Sequence, residues 1–140
     1  MKNRKGILVA TSILKSEDEI LILKRSEKVG SFQGYWSGCS GYVEEDETPK
    51  ETSLKEIKEE TGISKEYLKL LVDENIHKIE KTTGTWIVHS YLYETKTRKI
   101  RLDWENDEYE WITIDELKKY KIVPSLDKIV KDLFERYNKR

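Results

Sequence analysis

Residues 41–63 read GYVEEDETPKETSLKEIKEETGI, and this segment carries the strongest local signals in the chain. Thr48 is a suitable N-cap, Pro49 suits the first helical position, and the glutamate three positions after Thr48 completes a capping box. Gly62 stands where a left-handed residue commonly ends a helix. The segment therefore predicts a helix over residues 49–61.

One face of this predicted helix is acidic. Glu56, Glu59 and Glu60 follow the i, i+3, i+4 spacing that brings side chains together, whereas Leu54 and Ile57 lie on another face. Like charges at this spacing repel one another, so the arrangement lowers stability unless a group such as a divalent cation offsets it. In a chain with 38% charged residues, a solvated acidic helix face is the alternative interpretation.

The spacing of the segment resembles the Nudix box, G-x5-E-x7-R-E-U-x-E-E-x-G-U, in which U is a bulky aliphatic residue. Eight of the nine specified positions agree, and Gly41, Glu47 and Gly62 are among them. The ninth is Lys55, which stands where the family has arginine. The resemblance covers nearly the whole chain and implies a Nudix α/β/α sandwich, an α/β fold with a mixed β-sheet between helices.

The resemblance also implies a chemistry. Nudix proteins mostly hydrolyse a nucleoside diphosphate linked to another group X, with Mg²⁺ or Mn²⁺ neutralising the phosphate charge. Glu56, Glu59 and Glu60 match the metal ligands of the box, and Glu56 or a neighbouring glutamate matches the general base toward water. Lys55 matches the arginine that orients the glutamates, and Glu47 its partner. We therefore expect catalysis to depend on Glu56, Glu59 and Lys55, although lysine lacks the planar fork of arginine.

Two positions outside the helix are also expected at the metal. Members of the family often use the backbone carbonyl just before the box glycine, and here Ser40 supplies it. Many members carry E-H-x-E-Y-x-W before a late strand, and residues 105–111 match this pattern except that Asn106 replaces histidine. Glu105 is therefore the expected additional carboxylate, Glu108 is the second choice, and a merely solvated acidic loop is the alternative.

Four residues are candidates for binding substrate. Arg25 ends a predicted strand where relatives often present arginine to a phosphate, and a surface cation is the equal alternative. Trp36 is interpreted as a core residue or, as the lesser alternative, a platform on which a base stacks. Tyr35 and Trp86 are candidates for lining a base pocket, and nothing in the sequence decides between this role and packing.

Markers of particular substrates are missing downstream of the box. ADP-ribose pyrophosphatases tend to carry a proline there, where this chain reads IHKI over residues 76–79. Diadenosine polyphosphate hydrolases tend to carry a tyrosine nearby, where this chain has Glu80 and Lys81. The default expectation is a nucleoside triphosphate or a nucleotide-sugar-type substrate.

Two other functions fit the same family. A non-catalytic module that binds nucleotides as a sensor need not keep three box glutamates, so their presence favours the enzyme. The departures at Lys55 and at Cys39-Ser40, where the family usually has Pro-Gly, favour the sensor. Isopentenyl-diphosphate isomerases are Nudix relatives whose catalytic cysteine directly precedes the box glycine; Ser40 occupies that position here, so Cys39 is interpreted as a small packed residue.

The composition limits the number of domains, the compartment and the kinds of partner that we expect. A chain of 140 residues predicts a single Nudix domain over residues 1–140. The single cysteine excludes an internal disulfide and is typical of the cytoplasm. The net charge of −1 and the lack of a long apolar run predict no stable nucleic-acid binding and no membrane span. The expected partner is a small-molecule nucleotide diphosphate derivative, and a homodimer is one expected assembly because many small Nudix proteins dimerise.

Hydrophobic patterning predicts the remaining elements. Strands are expected over residues 6–14, 19–25, 68–79, 85–94 and 109–114, with turns at 16–18 and 83–84. A short helix is expected over residues 115–120. A second, amphipathic helix is expected over residues 125–137, capped by Ser125. Its predicted buried side consists of Leu126, Ile129, Val130, Leu133, Phe134 and Tyr137.

Overall fold

The computed structural model describes residues 6–81 and 84–139. Its strands are β1 (Ile7–Ser16), β2 (Glu19–Arg25), β3 (Trp36–Ser37), β4 (Cys39–Tyr42), β5 (Leu68–Lys81), β6 (Gly84–Thr95) and β7 (Asn106–Ile112). Its helices are α1 (Pro49–Thr61) and α2 (Leu126–Asn138), and two short 3-10 helices span Lys65–Tyr67 and Ile114–Lys119. Among the described residues, no helix is long and apolar enough to cross a membrane.

The strands form one mixed sheet of seven strands. Its main path runs β3-β2-β1-β6-β5, with β4 also paired to β1 and β7 also paired to β2. β1 and β6 run parallel over the register from Ile7↔Trp86 to Lys15↔Glu94. The Arg25 end of β2 meets Asn106 at the start of β7. This pairing brings two segments that are far apart in sequence to one edge of the sheet.

Each face of the sheet carries a helix and its own apolar cluster. On one face, Ile13 and Leu92 belong to a cluster with Leu133 of α2. On the other face, Tyr91 belongs to a cluster with Ile57 of α1. This arrangement confirms the predicted α/β/α sandwich with a mixed sheet between helices.

Helix α1 has the predicted bounds, and local hydrogen bonds account for them. Thr48 Oγ1 accepts a hydrogen bond from the backbone N–H of Glu51, and Glu51 Oε1 accepts one from the N–H of Thr48. Gly62 ends the helix with φ of 81°, a conformation that glycine adopts without steric cost. Both ends are therefore determined by residues within the segment itself.

Helix α2 begins where predicted but not for the predicted reason. Ser125 has φ of 73°, and its side chain makes no capping hydrogen bond. The predicted side-chain cap is therefore wrong; the backbone carbonyl of Ser125 accepts from the N–H of Ile129 instead. Of the predicted apolar side, Phe134 and Tyr137 are only partly buried, and their rings meet edge to face.

The last strand also departs from prediction. β7 begins at Asn106 and ends at Ile112, whereas patterning placed it over residues 109–114. Its first three residues, Asn-Asp-Glu, have low strand propensity, but pairing with β2 satisfies their backbone groups. At the predicted 83–84 turn, Thr83 lies outside the described residues.

Candidate metal and substrate site

A charged pair ties the loop before α1 to the helix. Glu47 Oε2 accepts a hydrogen bond from Lys55 Nζ at 2.5 Å, and Glu47 Oε1 accepts one from Thr52 Oγ1 at 2.6 Å. The bond from Lys55, and next that from Thr52, lowers the pKa of Glu47 to about 2. The same contact raises the pKa of Lys55. Lys55 and Glu47 are thus partners, as their positions in the box predict, although lysine makes a single bond where arginine offers a fork.

The box glycine makes room for a box glutamate. Strand β4 runs beside α1 so closely that a Cβ on Gly41 would lie 2.5 Å from Oε2 and 2.6 Å from Cγ of Glu56. Non-bonded carbon and oxygen atoms do not approach so closely without displacing one another. A Cβ at position 41 would therefore displace the Glu56 carboxylate, which lies close to the strand.

Three carboxylates converge at this point. Glu56, Glu60 and Glu105 each offer an oxygen, and the three oxygens lie within 4.8 Å of one another. Glu60 is only 4% exposed, and Asn106 Nδ2 donates a hydrogen bond of 3.4 Å to its Oε1. Glu56 and Glu105 are half-buried. A cluster of carboxylate oxygens with its own supporting amide suits a hard divalent cation such as Mg²⁺ or Mn²⁺.

The cluster concentrates negative charge away from water. Burial is the main cause that raises the pKa of Glu56 to about 7, with the charges of Glu59 and Glu105 adding to it and the Glu60 hydrogen bond opposing it. The pKa of Glu60 lies well above its usual value, first because Glu60 is buried and then because of the hydrogen bond with Glu56 and the charge of Glu56. Burial and then the charge of Asp103 raise the pKa of Glu105. A divalent cation among these oxygens would favour the ionised forms of all three.

An open cleft of about 1000 Å³, counting the solvent in its mouth, adjoins the cluster. Arg25, Ser40, Gly41 and Glu105 line it on the side of the carboxylates. Its other lining residues are mostly apolar and include Val9, Phe32, Tyr42, Ile79, Trp86, Val88, Val123, Leu126 and Ile129. The rings of Tyr42 and Trp86 have centroids 5.8 Å apart and planes tilted by 40°. Aromatic walls beside a metal-binding cluster suit a nucleotide, with its base in the cleft and its phosphates at the carboxylates.

Comparison with known proteins agrees with this geometry. The family model for the NUDIX domain matches residues 4–133. The chain belongs to the Nudix family. An asymmetrical bis(5'-nucleosyl)-tetraphosphatase from Rattus norvegicus is 31% identical over 104 residues, which cover 70% of this chain and 66% of the rat protein. Nudix hydrolase 2 from Arabidopsis thaliana is 33% identical over 72 residues, which cover 50% of this chain and 25% of that protein. The chain thus spans just under two thirds of the first relative and a quarter of the second.

Solved structures share the fold. An Ap4A hydrolase from C. elegans, solved as a binary complex, superposes with a TM-score of 0.81 at 17% identity over 96% of this chain and 99% of its own. A MutT protein from Methanosarcina mazei Go1 gives a TM-score of 0.73 at 24% identity over 99% of this chain and 97% of its own. At these identities the likeness establishes the Nudix fold and nothing finer.

Within this Nudix chain, Glu59 does not join the three converging carboxylates. It is exposed and is not among the residues whose oxygens lie within 4.8 Å of one another, so its predicted role as a metal ligand stays a prediction. Successive helix positions turn by about 100°, so adjacent residues 59 and 60 point in different directions. Glu59 still contributes electrostatically, because its charge helps raise the pKa of both Glu56 and Glu105.

The choice between the two late glutamates is resolved by the sheet. Glu105 joins the cluster, whereas Glu108 lies on β7 with its Oε2 3.4 Å from Lys24 Nζ. Ser40 lies on β4 beside Gly41 and lines the cleft, and its hydroxyl shares a hydrogen bond of 2.9 Å with that of Thr11. The hydroxyl is thereby held by the sheet, and only the carbonyl of Ser40 remains its predicted contribution to the metal.

Two residues assigned to substrate binding lie elsewhere. Trp36 is 9% exposed and packs in the core edge to face against Tyr120, at a centroid distance of 5.1 Å. Tyr35 packs against Phe32, and Lys121 Nζ lies over its ring. Neither is among the residues that line the cleft. The isolated bridge between Trp36 and the segment before α2 draws this tryptophan inward, which agrees with its interpretation as a core residue, while the substrate role of Tyr35 stays a prediction.

The aromatic residues that do line the cleft include Trp86, as predicted, with Tyr42 and Phe32, which the sequence reasoning missed. Tyr42 directly follows the box glycine on β4, which was an available signal. Phe32 lies in the loop between β2 and β3 with φ of 52°, and no sequence pattern pointed to it. Arg25 also lines the cleft; its Nε donates to the Ser31 carbonyl at 3.0 Å, and its charge lowers the pKa of Glu105.

Cys39 is a packed residue. It is 2% exposed, belongs to the apolar cluster under α1, and does not line the cleft. Burial and then the charge of Glu60 place the pKa of its thiol well above the usual value. An isomerase would need a cysteine that reaches the substrate, and the position of Cys39 disfavours that alternative.

Proposed function

We propose that this chain is a divalent-metal-dependent pyrophosphohydrolase, in which water attacks a phosphoanhydride phosphorus of a nucleoside diphosphate linked to a group X. The observation that carries the proposal is the convergence of Glu56, Glu60 and Glu105 at the mouth of an aromatic-lined cleft. The carboxylates suit a hard cation and the cleft suits a base, so the phosphates of a bound nucleotide would lie between them.

The roles of the residues follow from their positions. Glu56, Glu60 and Glu105 would hold Mg²⁺ or Mn²⁺, with the Ser40 carbonyl as a further ligand, and the cation would supply neutralisation of phosphate charge. Glu56 is the candidate general base, because its carboxylate belongs to the cluster that would hold the cation and could accept a proton from a water molecule there. Arg25 lies where its guanidinium can donate to a phosphate.

The residues around the cluster set the orientation of its carboxylates. Lys55 and Glu47 tie the preceding loop to α1, which sets the position of Glu56 one residue further on. Gly41 leaves room for the same carboxylate beside β4, and Asn106 donates to Glu60. These contacts reduce the freedom of the carboxylates before substrate arrives, which lowers the cost of reaching the productive geometry.

For the substrate class, we propose a dinucleoside polyphosphate first and a nucleoside triphosphate or nucleotide-sugar-type compound second. The named activity of the rat relative, at 31% identity over 70% of this chain, supports the first. The missing tyrosine at Glu80 and Lys81 favoured the second, but the absence of one marker weighs less than similarity over 104 residues.

The test is product analysis by chromatography on a panel of nucleotides with Mg²⁺ and with Mn²⁺. The panel comprises diadenosine tetraphosphate, the common nucleoside triphosphates, ADP-ribose and nucleotide sugars. Glu105→Gln should lower kcat/KM by about 100-fold or more because it removes a metal ligand. Glu108→Gln is the matched control, since it removes a carboxylate from the same motif but outside the cluster, and it should retain activity.

The outcomes separate the candidates. Metal-dependent turnover that is lost in Glu105→Gln and kept in Glu108→Gln supports the hydrolase and identifies X. Equal loss in both variants would refute the assignment of Glu105. No turnover on any compound, together with a nucleotide-dependent rise in Tm, would replace the hydrolase with a nucleotide-binding sensor.

A further inference from the structure

Trp104 is an exposed tryptophan on a loop that is held firmly in place. It is 59% exposed. Ser26 holds the loop with two hydrogen bonds of 2.8 Å, from its Oγ to the Trp104 carbonyl and from its N–H to the Glu105 carbonyl. Asp103 Oδ1 accepts a third bond, from the N–H of Glu105. The fixed loop therefore presents an aromatic face to solvent, where a planar ligand can stack on it.

A second surface depression surrounds this indole. It is lined by Ser26, Glu27, Lys28, Asp103, Trp104 and Asp107. Arg25 and Glu105, the chain neighbours of Ser26 and Trp104, line the aromatic cleft instead. The indole of Trp104 and the carboxylate of Glu105 therefore extend from neighbouring backbone positions.

The carboxylate cluster lies close to both depressions. Asp103 lines the second depression, and its charge raises the pKa of Glu60 and of Glu105, so it lies within electrostatic reach of the cluster. Glu105 itself lines the first. A phosphate chain bound at the cluster would thus have aromatic side chains available beyond each of its ends.

The charges around Trp104 select the kind of group that fits. Glu27, Asp103 and Asp107 supply three carboxylates against the single ammonium of Lys28. This balance repels phosphate but suits ribose hydroxyl groups, which donate hydrogen bonds to carboxylates. A nucleobase stacks on an indole regardless of its identity, because every base has a π-face. The occupant is therefore a nucleoside without a terminal phosphate.

We propose that Trp104 binds the second nucleobase of a dinucleoside polyphosphate. The first nucleoside occupies the cleft at Tyr42 and Trp86, and the phosphate chain crosses the carboxylate cluster. This inference rests on the proposed function and narrows it to substrates with a nucleoside at both ends. A nucleoside triphosphate has no group that reaches Trp104.

The experiment compares Trp104→Ala, Trp104→Phe and wild type on diadenosine tetraphosphate and on ATP in the same Mg²⁺ buffer. Trp104→Ala should raise the ratio of the KM for diadenosine tetraphosphate to the KM for ATP by roughly fivefold or more, the lower end of the range for loss of one stacked base. Trp104→Phe should restore most of that ratio because it keeps an aromatic face. Tyr67→Ala is the matched control, since Tyr67 is an exposed aromatic that lines neither depression.

An unchanged KM ratio in Trp104→Ala would overturn the proposal, and so would an equal change in Tyr67→Ala. If the wild type hydrolyses neither compound, the proposed hydrolase function is refuted, and a binding experiment then tests the Trp104 site. Diadenosine tetraphosphate is then titrated against tryptophan fluorescence in Mg²⁺. Trp86 lies at the first nucleoside and also reports binding, so quenching that is smaller in Trp104→Phe than in the wild type supports the site, whereas equal quenching in both proteins, or none in the wild type, overturns it.

Discussion

Replacing Glu56 by glutamine should stabilise the metal-free protein above neutral pH. The folded chain holds the pKa of Glu56 at about 7, against a usual value of 4.5, chiefly through burial. The folded state therefore binds this proton more tightly than the unfolded state. The stability that this tighter proton binding gives the folded state is fully present below about pH 4.5 and is lost as the pH rises through 7.

The size of the effect follows from the same values. Moving a carboxyl pKa from 4.5 to about 7 corresponds to ~3.4 kcal/mol at ~1.36 kcal/mol per pKa unit. Glu56 is only half-buried, so solvent screening reduces this figure, and we expect about 1–2 kcal/mol. For a domain of this size, that corresponds to a rise in Tm of roughly 3–6 °C at pH 8.

Differential scanning calorimetry of Glu56→Gln and the wild type in EDTA at pH 5 and pH 8 measures this difference in Tm. Glu56→Gln should gain stability at pH 8 and little at pH 5, where the wild-type carboxyl is already protonated. Saturating Mg²⁺ at pH 8 should reverse the order, because the wild type gains binding free energy that the variant largely loses. Glu108→Gln, which changes an exposed carboxylate, is the control and should show no such pH dependence. A Glu56→Gln Tm at or below that of the wild type at pH 8 in EDTA would refute the reasoning.

Three further changes probe the contacts around the site and the core. Lys55→Ala removes the donor that lies 2.5 Å from Glu47, so we expect steady-state kinetics to show kcat at least about tenfold lower. Lys55→Arg should keep most of the activity. An equal loss of activity in both variants would contradict the pairing role of Lys55. Gly41→Ala places a methyl group 2.5 Å from Oε2 of Glu56, so Mg²⁺ affinity by titration calorimetry should fall about tenfold or more; unchanged affinity would rule out the close approach. Leu133→Ala empties a fully buried position of α2 and should cost about 2–5 kcal/mol in urea unfolding; a cost below ~1 kcal/mol would mean that α2 packs differently.

The sequence by itself determined helix α1 and the family. The capping box, the proline at the first turn and Gly62 act within the segment, so the helix over residues 49–61 has the bounds that its residues predict. The partnership of Lys55 and Glu47, eight positions apart in the same stretch, was implied by the family resemblance. Hydrogen bonds and propensities over a few residues do not depend on the rest of the fold, which is why they can be predicted from the sequence.

The tertiary structure alone decided which side chains meet. It chose Glu105 over Glu108, because the pairing of β2 with β7 brings the start of β7 to the cluster beside α1. It buried Trp36 in the core and placed Tyr42 in the cleft wall. Strand pairing between residues as distant as Arg25 and Asn106 leaves no local pattern, since the energy of such contacts appears only when both segments are in place.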